Sequence, residues 1–186
     1  MGPDLPPAPL ILTLEMDTAS SEFFERCRRE YFPPELNRVP AHLSLFHKLP
    51  GEETQNVLEA VEEACRKRPP MKIRIAGTRN LGRGVAFRVQ SAALARFRAE
   101  LAHAYASWLT PQDRQPFNPH ITIQNKVTPE EARRVFSLLT GGGWPQSLTG
   151  VGAAVWRYLG GPWERLHVYS FRDAEEPILN QDTQSP

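Results

Sequence analysis

NPHITIQNK, residues 118–126, places a histidine and a threonine two positions apart with an isoleucine after each. Alternate residues of a β-strand point to the same face of the sheet. The stretch therefore predicts a strand with His120 and Thr122 on one face and with Ile121 and Ile123 packed into a hydrophobic core. One alternation of this kind is typical of any half-buried strand, so it does not by itself indicate a functional site.

A second stretch, PAHLSLFHK at residues 40–48, repeats the pattern with His42 and Ser44 next to leucines. Each copy contains a proline before its histidine and leads into residues that favour the start of a helix. The two motif histidines are 78 residues apart. Glycine-containing turns are predicted at equivalent distances beyond them, at Gly82 and Gly160. We interpret the chain as an internal duplication with a period of about 78 residues.

Predicted helices and strands alternate along the whole chain. Apolar residues recur with the spacing of amphipathic helices in four stretches, which contain Phe24 and Cys27, Val57 and Val61, Leu94 and Phe97, and Val135 and Phe136. Further strands are predicted at PLILTLEM, MKIRIAG, GVAFRVQ, GAAVWRYL and RLHVYSF. The pattern predicts a bilobal α+β fold with pseudo-twofold symmetry, in which two mainly antiparallel sheets face a central cleft and helices cover the outer faces. Symmetry between the copies would bring both motifs into that cleft.

The composition is typical of a compact domain. At 186 residues, 40% of them hydrophobic, the chain can form one domain with two lobes. We assign residues 1–173 to this domain and expect a flexible C-terminal tail over residues 174–186. A formal net charge of +1 does not suit a protein that grips long duplexes. Cys27 and Cys65 fall on apolar helix faces, which favours buried thiols over a disulfide.

The sequence lacks signals for membranes and for export. No apolar run approaches the roughly 18 residues of a membrane span. The stretch MGPDLPPAPLILTLEMD lacks the basic start of a signal peptide. A cytoplasmic protein without membrane contact is the default expectation, and no obligate protein partner is evident.

Two facing pairs of histidine and hydroxyl suit attack on a phosphodiester. With an unperturbed pKa near 6.5, one imidazole can take a proton from the attacking group while the other gives one to the leaving oxygen. Ser44 and Thr122 would donate hydrogen bonds to the non-bridging oxygens. A metal site has little support, because neither motif lies beside HExxH, CxxC or a carboxylate cluster. The glycine motifs of serine hydrolases and of nucleotide-binding loops do not occur either.

The duplicated HLSL and HITI resemble the paired H-x-[ST]-x motifs of the 2H phosphoesterase superfamily, which includes the 2'-5' RNA ligase family. VPAHLSLFHKLP at residues 39–50 and WRYLGGPWE at residues 156–164 add to the resemblance to bacterial members, which covers roughly residues 8 to 172. The family implies chemistry on 2',3'-cyclic phosphates or 2',5'-linked ends of RNA or nucleotides, without metal or cofactor. It implies that His42 and His120 are the catalytic acid and base, in an order the sequence leaves open.

The resemblance further implies that Ser44 and Thr122 bind the substrate phosphate. Four other residues are candidate substrate contacts, by their places on the predicted strands: Phe46, Gln124, Tyr158 and Arg88. Regular alternation places His47 on the core face, so we interpret it as structural. We expect a phosphodiesterase. The alternatives are a 2'-5' RNA ligase and a non-catalytic module that binds an RNA end or a nucleotide.

Overall fold

The computed structural model describes residues 7–172, and the tail predicted at residues 174–186 lies outside them. Strands and helices alternate over this range. The strands are β1 (Leu10–Met16), β2 (Leu43–Leu49), β3 (Met71–Asn80), β4 (Val85–Gln90), β5 (His120–Gln124), β6 (Ser147–Tyr158) and β7 (Trp163–Ser170). The helices are α1 (Thr18–Tyr31), α2 (Thr54–Arg66), α3 (Ala92–Ala104) and α4 (Pro129–Thr140). The predicted strands and helices are confirmed.

Side chains that the sequence supplies at the helix starts cap three of the four helices. The hydroxyl of Thr128 accepts a hydrogen bond from the N–H of Glu131 at 3.2 Å, and Pro129 occupies the first position of α4. Asp17 and Ser91 cap α1 and α3 in the same way. Such caps satisfy N–H groups that have no partner inside the helix.

Two glycine turns connect neighbouring strands. Gly82, with φ of 85°, lies in the turn from β3 to β4, and Gly160, with φ of 81°, lies in the turn from β6 to β7. Positive φ favours glycine because it has no Cβ. Both turns lie where the sequence predicts them.

The strand pairings in the described part of the chain are antiparallel and form one network. The strand order is β1-β2-β5-β4-β3-β6-β7, and β1 also pairs with β6. This additional pairing closes the first six strands into a barrel-like ring, with β7 added beside β6. The predicted α+β fold is confirmed. The two sheets expected from the sequence are not separate. The strand sets β2-β1-β6-β7 and β5-β4-β3 are joined where β3 pairs with β6 and where Leu43 of β2 pairs with Ile121 of β5.

The pairings have an approximate twofold symmetry. β1 pairs with β2 and β6, and β4 pairs in the same way with β5 and β3. Each of the two joints connects a strand with its equivalent, β2 with β5 and β3 with β6. Leu43 and Ile121, which pair at the first joint, are themselves 78 residues apart. This arrangement agrees with an internal duplication, which stays a prediction.

The helices pack on the face of the sheet that carries Leu43 and Ile121. Both side chains are fully buried, in a core that continues through apolar residues of all four helices. Cys27 and Cys65 are free and buried, as predicted. Burial raises the pKa of Cys27 to about 11 and that of Cys65 to about 12, so both thiols stay uncharged. No helix within residues 7–172 is long and apolar enough to cross a bilayer.

Candidate active site

The two motifs meet where β2 runs beside β5. Leu43 of β2 pairs with Ile121 of β5. Continued by one residue in each direction, this antiparallel register sets His42 across from Thr122 and Ser44 across from His120. All four side chains line one cleft, so the structure brings together the four residues that the motifs single out.

Both motif histidines are held by the same backbone hydrogen bond. Nδ1 of His42 lies 2.7 Å from the carbonyl oxygen of Pro40, and Nδ1 of His120 lies 2.9 Å from that of Asn118. A carbonyl oxygen can only accept, so each Nδ1 carries the hydrogen. The other ring nitrogen, Nε2, is thereby left free for a ligand. Each partner is two residues before its histidine, so the local turn fixes the ring.

His42 lies beside an aromatic side chain of β7. Its ring packs against the indole of Trp163, with 4.6 Å between the ring centroids. Burial lowers the pKa of His42 to about 4, although its hydrogen bond to a carbonyl opposes the shift. The positive charges of Arg28, His47 and His120 lower this pKa further. At neutral pH His42 is therefore uncharged, with a lone pair on Nε2.

Two side chains of α1 hold the irregular backbone that precedes His42. Arg28 donates to the carbonyl oxygen of Val39 at 3.2 Å and to that of Thr122 at 2.9 Å. Glu25 accepts from the N–H of Ala41 at 2.6 Å. Arg28 is buried and so connects the two motifs through their backbones. Sequence reasoning missed this residue, although its place next to Cys27 on the apolar stripe of α1 could have marked it as buried.

The cleft extends to both sides of the motifs. Two overlapping cavities, of about 270 Å³ and 430 Å³, share the four motif residues together with His47 and Gln112. The first, the polar side, is also lined by Arg79, Arg98, Gln115, Phe117 and Asn118. The second, the aromatic side, is also lined by Pro9, Ile11, Lys48, Tyr158 and Trp163. These sizes are comparable with the roughly 300–1,000 Å³ of small-molecule sites.

Tyr158, a candidate contact from the sequence, lies on the aromatic side of the cleft. It pairs with Trp163 across the hairpin from β6 to β7. Sequence reasoning missed Trp163. The turn predicted at Gly160 could have indicated this residue, because a tight turn there sets positions 158 and 163 opposite each other.

Each motif strand contains a β-bulge directly after its hydroxyl residue. Adjacent residues of β1 pair with Ser44 and Phe46, which leaves one extra residue of β2 between them. Adjacent residues of β4 pair in the same way with Thr122 and Gln124. A bulge shifts the alternation by one, so the residues after it exchange faces.

The bulges correct two of the predicted substrate contacts. Phe46 and Gln124 are both completely buried on the core side of their strands. The ring of Phe46 packs edge-on against Tyr105, with 5.4 Å between the centroids, and the guanidinium of Arg98 lies 4.3 Å from its centre. The amide of Gln124 has no hydrogen-bond partner among the described residues. Neither side chain reaches the cleft.

Of the arginines near the second motif, Arg79 rather than Arg88 lines the cleft. Arg88 lies opposite His120 on β4, as its predicted face requires, but its side chain donates to a backbone carbonyl at 3.4 Å and is not part of the cleft wall. Arg79 on β3 lies opposite Ala86, which in turn lies opposite Thr122. The small alanine leaves room for Arg79 to extend towards the motif.

His47 lines both sides of the cleft, which corrects its interpretation as a core residue. Regular alternation would turn it towards Leu45, but the bulge between Ser44 and Phe46 turns it outwards. Within residues 7–172, no three histidine, cysteine or acidic side chains are grouped so that they could hold a metal ion.

Sequence and structure comparisons relate the chain to known proteins. A family model described as the 2'-5' RNA ligase superfamily matches residues 16–162. Comparison with curated proteins gives no match. The crystal structure of TT0787 of Thermus thermophilus is 19% identical with a TM-score of 0.63, over 90% of this chain and 100% of that chain. Escherichia coli LigT in complex with NADP+ is 18% identical with a TM-score of 0.60, over 89% and 98%. At such identities the two structures share the fold with this chain.

Proposed function

The chain belongs to the 2'-5' RNA ligase superfamily, and on that premise we propose that it is a phosphodiesterase for 2',3'-cyclic phosphate or 2',5'-linked ends of RNA or nucleotides. The observation that carries the proposal is the meeting of two histidines and two hydroxyls, one pair from each motif, in a single cleft. Two imidazoles supply both proton transfers of the reaction, so its acid–base chemistry needs no metal.

His42 is the general base in this proposal. Because its pKa is about 4 and its Nδ1–H is donated to Pro40, its Nε2 is free at neutral pH to take a proton from the attacking water. His120, in its protonated form, donates the Nε2 proton to the oxygen that leaves phosphorus. One P–O bond forms to water and one breaks to the leaving oxygen. A 2',3'-cyclic phosphate is thereby opened to a 2'- or 3'-phosphomonoester.

The motif hydroxyls stabilise the phosphate during the attack. Ser44 and Thr122 lie beside the histidine of the opposite motif and donate to the non-bridging oxygens, where negative charge increases in the transition state. The aromatic side of the cleft supports a nucleobase as a neighbouring group, because every base can stack on an aromatic ring. The crystal structures of LigT with 3'-AMP, with ATP and with phosphate support ligands of this kind.

Turnover of a substrate panel tests the proposal. The panel contains the four 2',3'-cyclic nucleotides and dinucleotides with 2',5' or 3',5' linkages, in EDTA, with 2'- and 3'-phosphate products resolved. We expect the wild type to give a single regioisomer. Thr122→Val keeps the shape of the side chain but removes the hydroxyl, and we expect it to lower kcat by roughly 100- to 1,000-fold, as for the loss of one oxyanion donor.

Thr149→Val is the matched control, because Thr149 lies on β6 and does not line the cleft. It should turn over the same substrates at the wild-type rate. Absence of turnover with every member of the panel, or a Thr122→Val variant as active as the wild type, would contradict the proposal.

A further inference from the structure

The cleft contains a third histidine for which the duplicated motifs do not account. The register between β1 and β2 shifts a second time, between the pairs formed by Leu10 and Leu12, so that β2 has another extra residue there. His47 and Lys48 follow each other in this stretch, and both are exposed. The bulge after Ser44 turns the ring of His47 to the cleft side, and the second bulge leaves the N–H groups of both residues to bond outside the strand ladder.

Asp113 binds this irregular stretch from the loop between α3 and β5. Its carboxylate accepts from the N–H of His47 at 3.0 Å, from the N–H of Lys48 at 3.1 Å and from the His47 ring at Nδ1, 2.9 Å away. Burial opposes the ionisation of Asp113, but these hydrogen bonds outweigh it and hold the pKa of the carboxyl below its usual value. An ionised carboxylate only accepts, so Nδ1 of His47 carries a hydrogen.

His47 and Asp113 differ in how far their side chains are exposed to solvent. The side chain of Asp113 is 1% exposed, whereas that of His47 is 45% exposed. The buried carboxylate therefore stabilises the bulge through its hydrogen bonds to the two N–H groups. The ring of His47 adds no comparable burial, and with Nδ1 held by Asp113, its Nε2 is the ring nitrogen left for the cleft.

His47 lies in the part of the cleft that its polar and aromatic sides share. It is among the few residues that line both the polar and the aromatic side, together with the motif residues themselves. Its charge also contributes to the lowered pKa of His42, after burial and Arg28. His47 therefore borders the same space as the motif residues.

We propose that His47 is a third imidazole of the site, whose Nε2 hydrogen-bonds a phosphate oxygen of the substrate while Asp113 holds the ring. The inference rests on the proposed phosphodiesterase function and adds a residue that binds the reacting group. The carboxylate lies on one side of the ring and the phosphate on the other, and both accept, so both ring nitrogens donate in the bound complex. His47 transfers no proton in the reaction. Asp113 acts through His47 and is a positioning residue.

Equilibrium binding of inorganic phosphate tests the inference without depending on turnover. Calorimetric titration at constant ionic strength compares the wild type with His47→Gln. The substitution keeps the backbone hydrogen bonds to Asp113, so the fold should be retained. A hydrogen bond between charged partners is lost, and we expect phosphate to bind roughly 10- to 100-fold more weakly. His103→Gln makes the same change at an exposed position of α3 and should bind phosphate like the wild type.

Kinetics give a second readout. With a 2',3'-cyclic nucleotide, we expect His47→Gln to lower kcat/KM chiefly through a higher KM, because the contact is present before and during the reaction. In Asp113→Asn, the ring ¹⁵N chemical shifts of His47 should report loss of the fixed tautomer, together with weaker binding of phosphate.

The outcomes separate the inference from the proposed function. Wild-type phosphate affinity in His47→Gln, or no binding of phosphate by the wild type, would overturn the inference. If the wild type binds phosphate but turns over no phosphodiester, the proposed function fails while the calorimetric comparison still decides the role of His47.

Discussion

His42 and His120 make the same backbone hydrogen bond, yet their surroundings differ. The indole of Trp163 covers His42, and burial lowers the pKa of His42 to about 4. A general base must be neutral at the working pH, and a general acid must carry a proton. This environment supports the proposal that His42 is the base, a choice that the motif alone leaves open.

Removal of the indole should make His42 easier to protonate. In Trp163→Ala, water reaches the ring and the pKa of His42 should rise from about 4 towards its unperturbed value near 6.5. Activity requires the neutral base and is lost as the pH falls through this pKa. The acid limb of kcat/KM, measured with a 2',3'-cyclic nucleotide between about pH 4 and pH 9, should therefore move to higher pH.

Trp144→Ala is the control for this shift. Trp144 is also a half-buried tryptophan, but it packs against Phe87, with 5.5 Å between the ring centroids, and not against His42. Its removal should leave the acid limb unchanged. An acid limb at the same pH in Trp163→Ala and in the wild type would show that the indole does not set the pKa of His42.

At the scale of secondary-structure elements, each of two helices supports the motif strand of the other half. Arg28 of α1 donates to the carbonyl of Thr122 in β5 at 2.9 Å, and Arg98 of α3 donates to the carbonyl of Leu45 in β2 at 3.4 Å. Both carbonyls lie at or next to a bulge. A buried carbonyl without a partner is costly, so these buried arginines stabilise the bulges that shape the site.

The bulge in β5 also makes a prediction about stability. It turns Gln124 into the core, where neither amide atom has a hydrogen-bond partner among the described residues. An unsatisfied buried polar group costs about 1–3 kcal/mol. We expect Gln124→Met, which has a similar shape and no amide, to increase the free energy of unfolding by about 1 kcal/mol in urea denaturation.

Gln55→Met is the matched control, because Gln55 is exposed on α2 and its amide donates to the carboxylate of Glu59 at 2.8 Å. We expect its free energy of unfolding to stay within about 0.5 kcal/mol of the wild type. A clear loss of stability in Gln124→Met would show that the buried amide contributes to the fold and is not a cost to it.

The bulges also explain why the sequence predicts only part of the site. Alternation places the histidine and the hydroxyl of each motif correctly, because both come before the bulge. It fails for Phe46, His47 and Gln124, which come after it. Nothing in a run of alternating residues marks an extra residue, since a bulge depends on the pairing with a neighbouring strand.

At the scale of the whole molecule, the cleft is formed by equivalent parts of the two halves. Residues 78 apart pair at the joint between β2 and β5, so each motif lies against its own counterpart. Periodic apolar residues were sufficient to predict the α+β fold. The common cleft was expected from the symmetry between the two copies of the motif. The closing of the strands into one ring depends on pairings between distant strands and was not predicted.

Contacts between distant residues complete the site and leave no local signal. Asp113 reaches His47 across 66 positions of the chain, and Arg28 reaches Thr122 across 94. Trp163 covers His42 from a different half of the molecule. Such residues are recognised only once the fold is known, whereas the two motifs are visible in the sequence because they are repeated.

A double-mutant cycle tests most directly whether the two motif histidines act together on one phosphodiester. It compares kcat/KM for a 2',3'-cyclic nucleotide in the wild type, His42→Ala, His120→Ala and the double variant. We expect each single variant to lose roughly 100- to 10,000-fold, and the double variant to be no slower than the slower single one, because the two act as a unit. Wild-type kcat/KM in either single variant, or losses that multiply as for independent sites, would contradict the account.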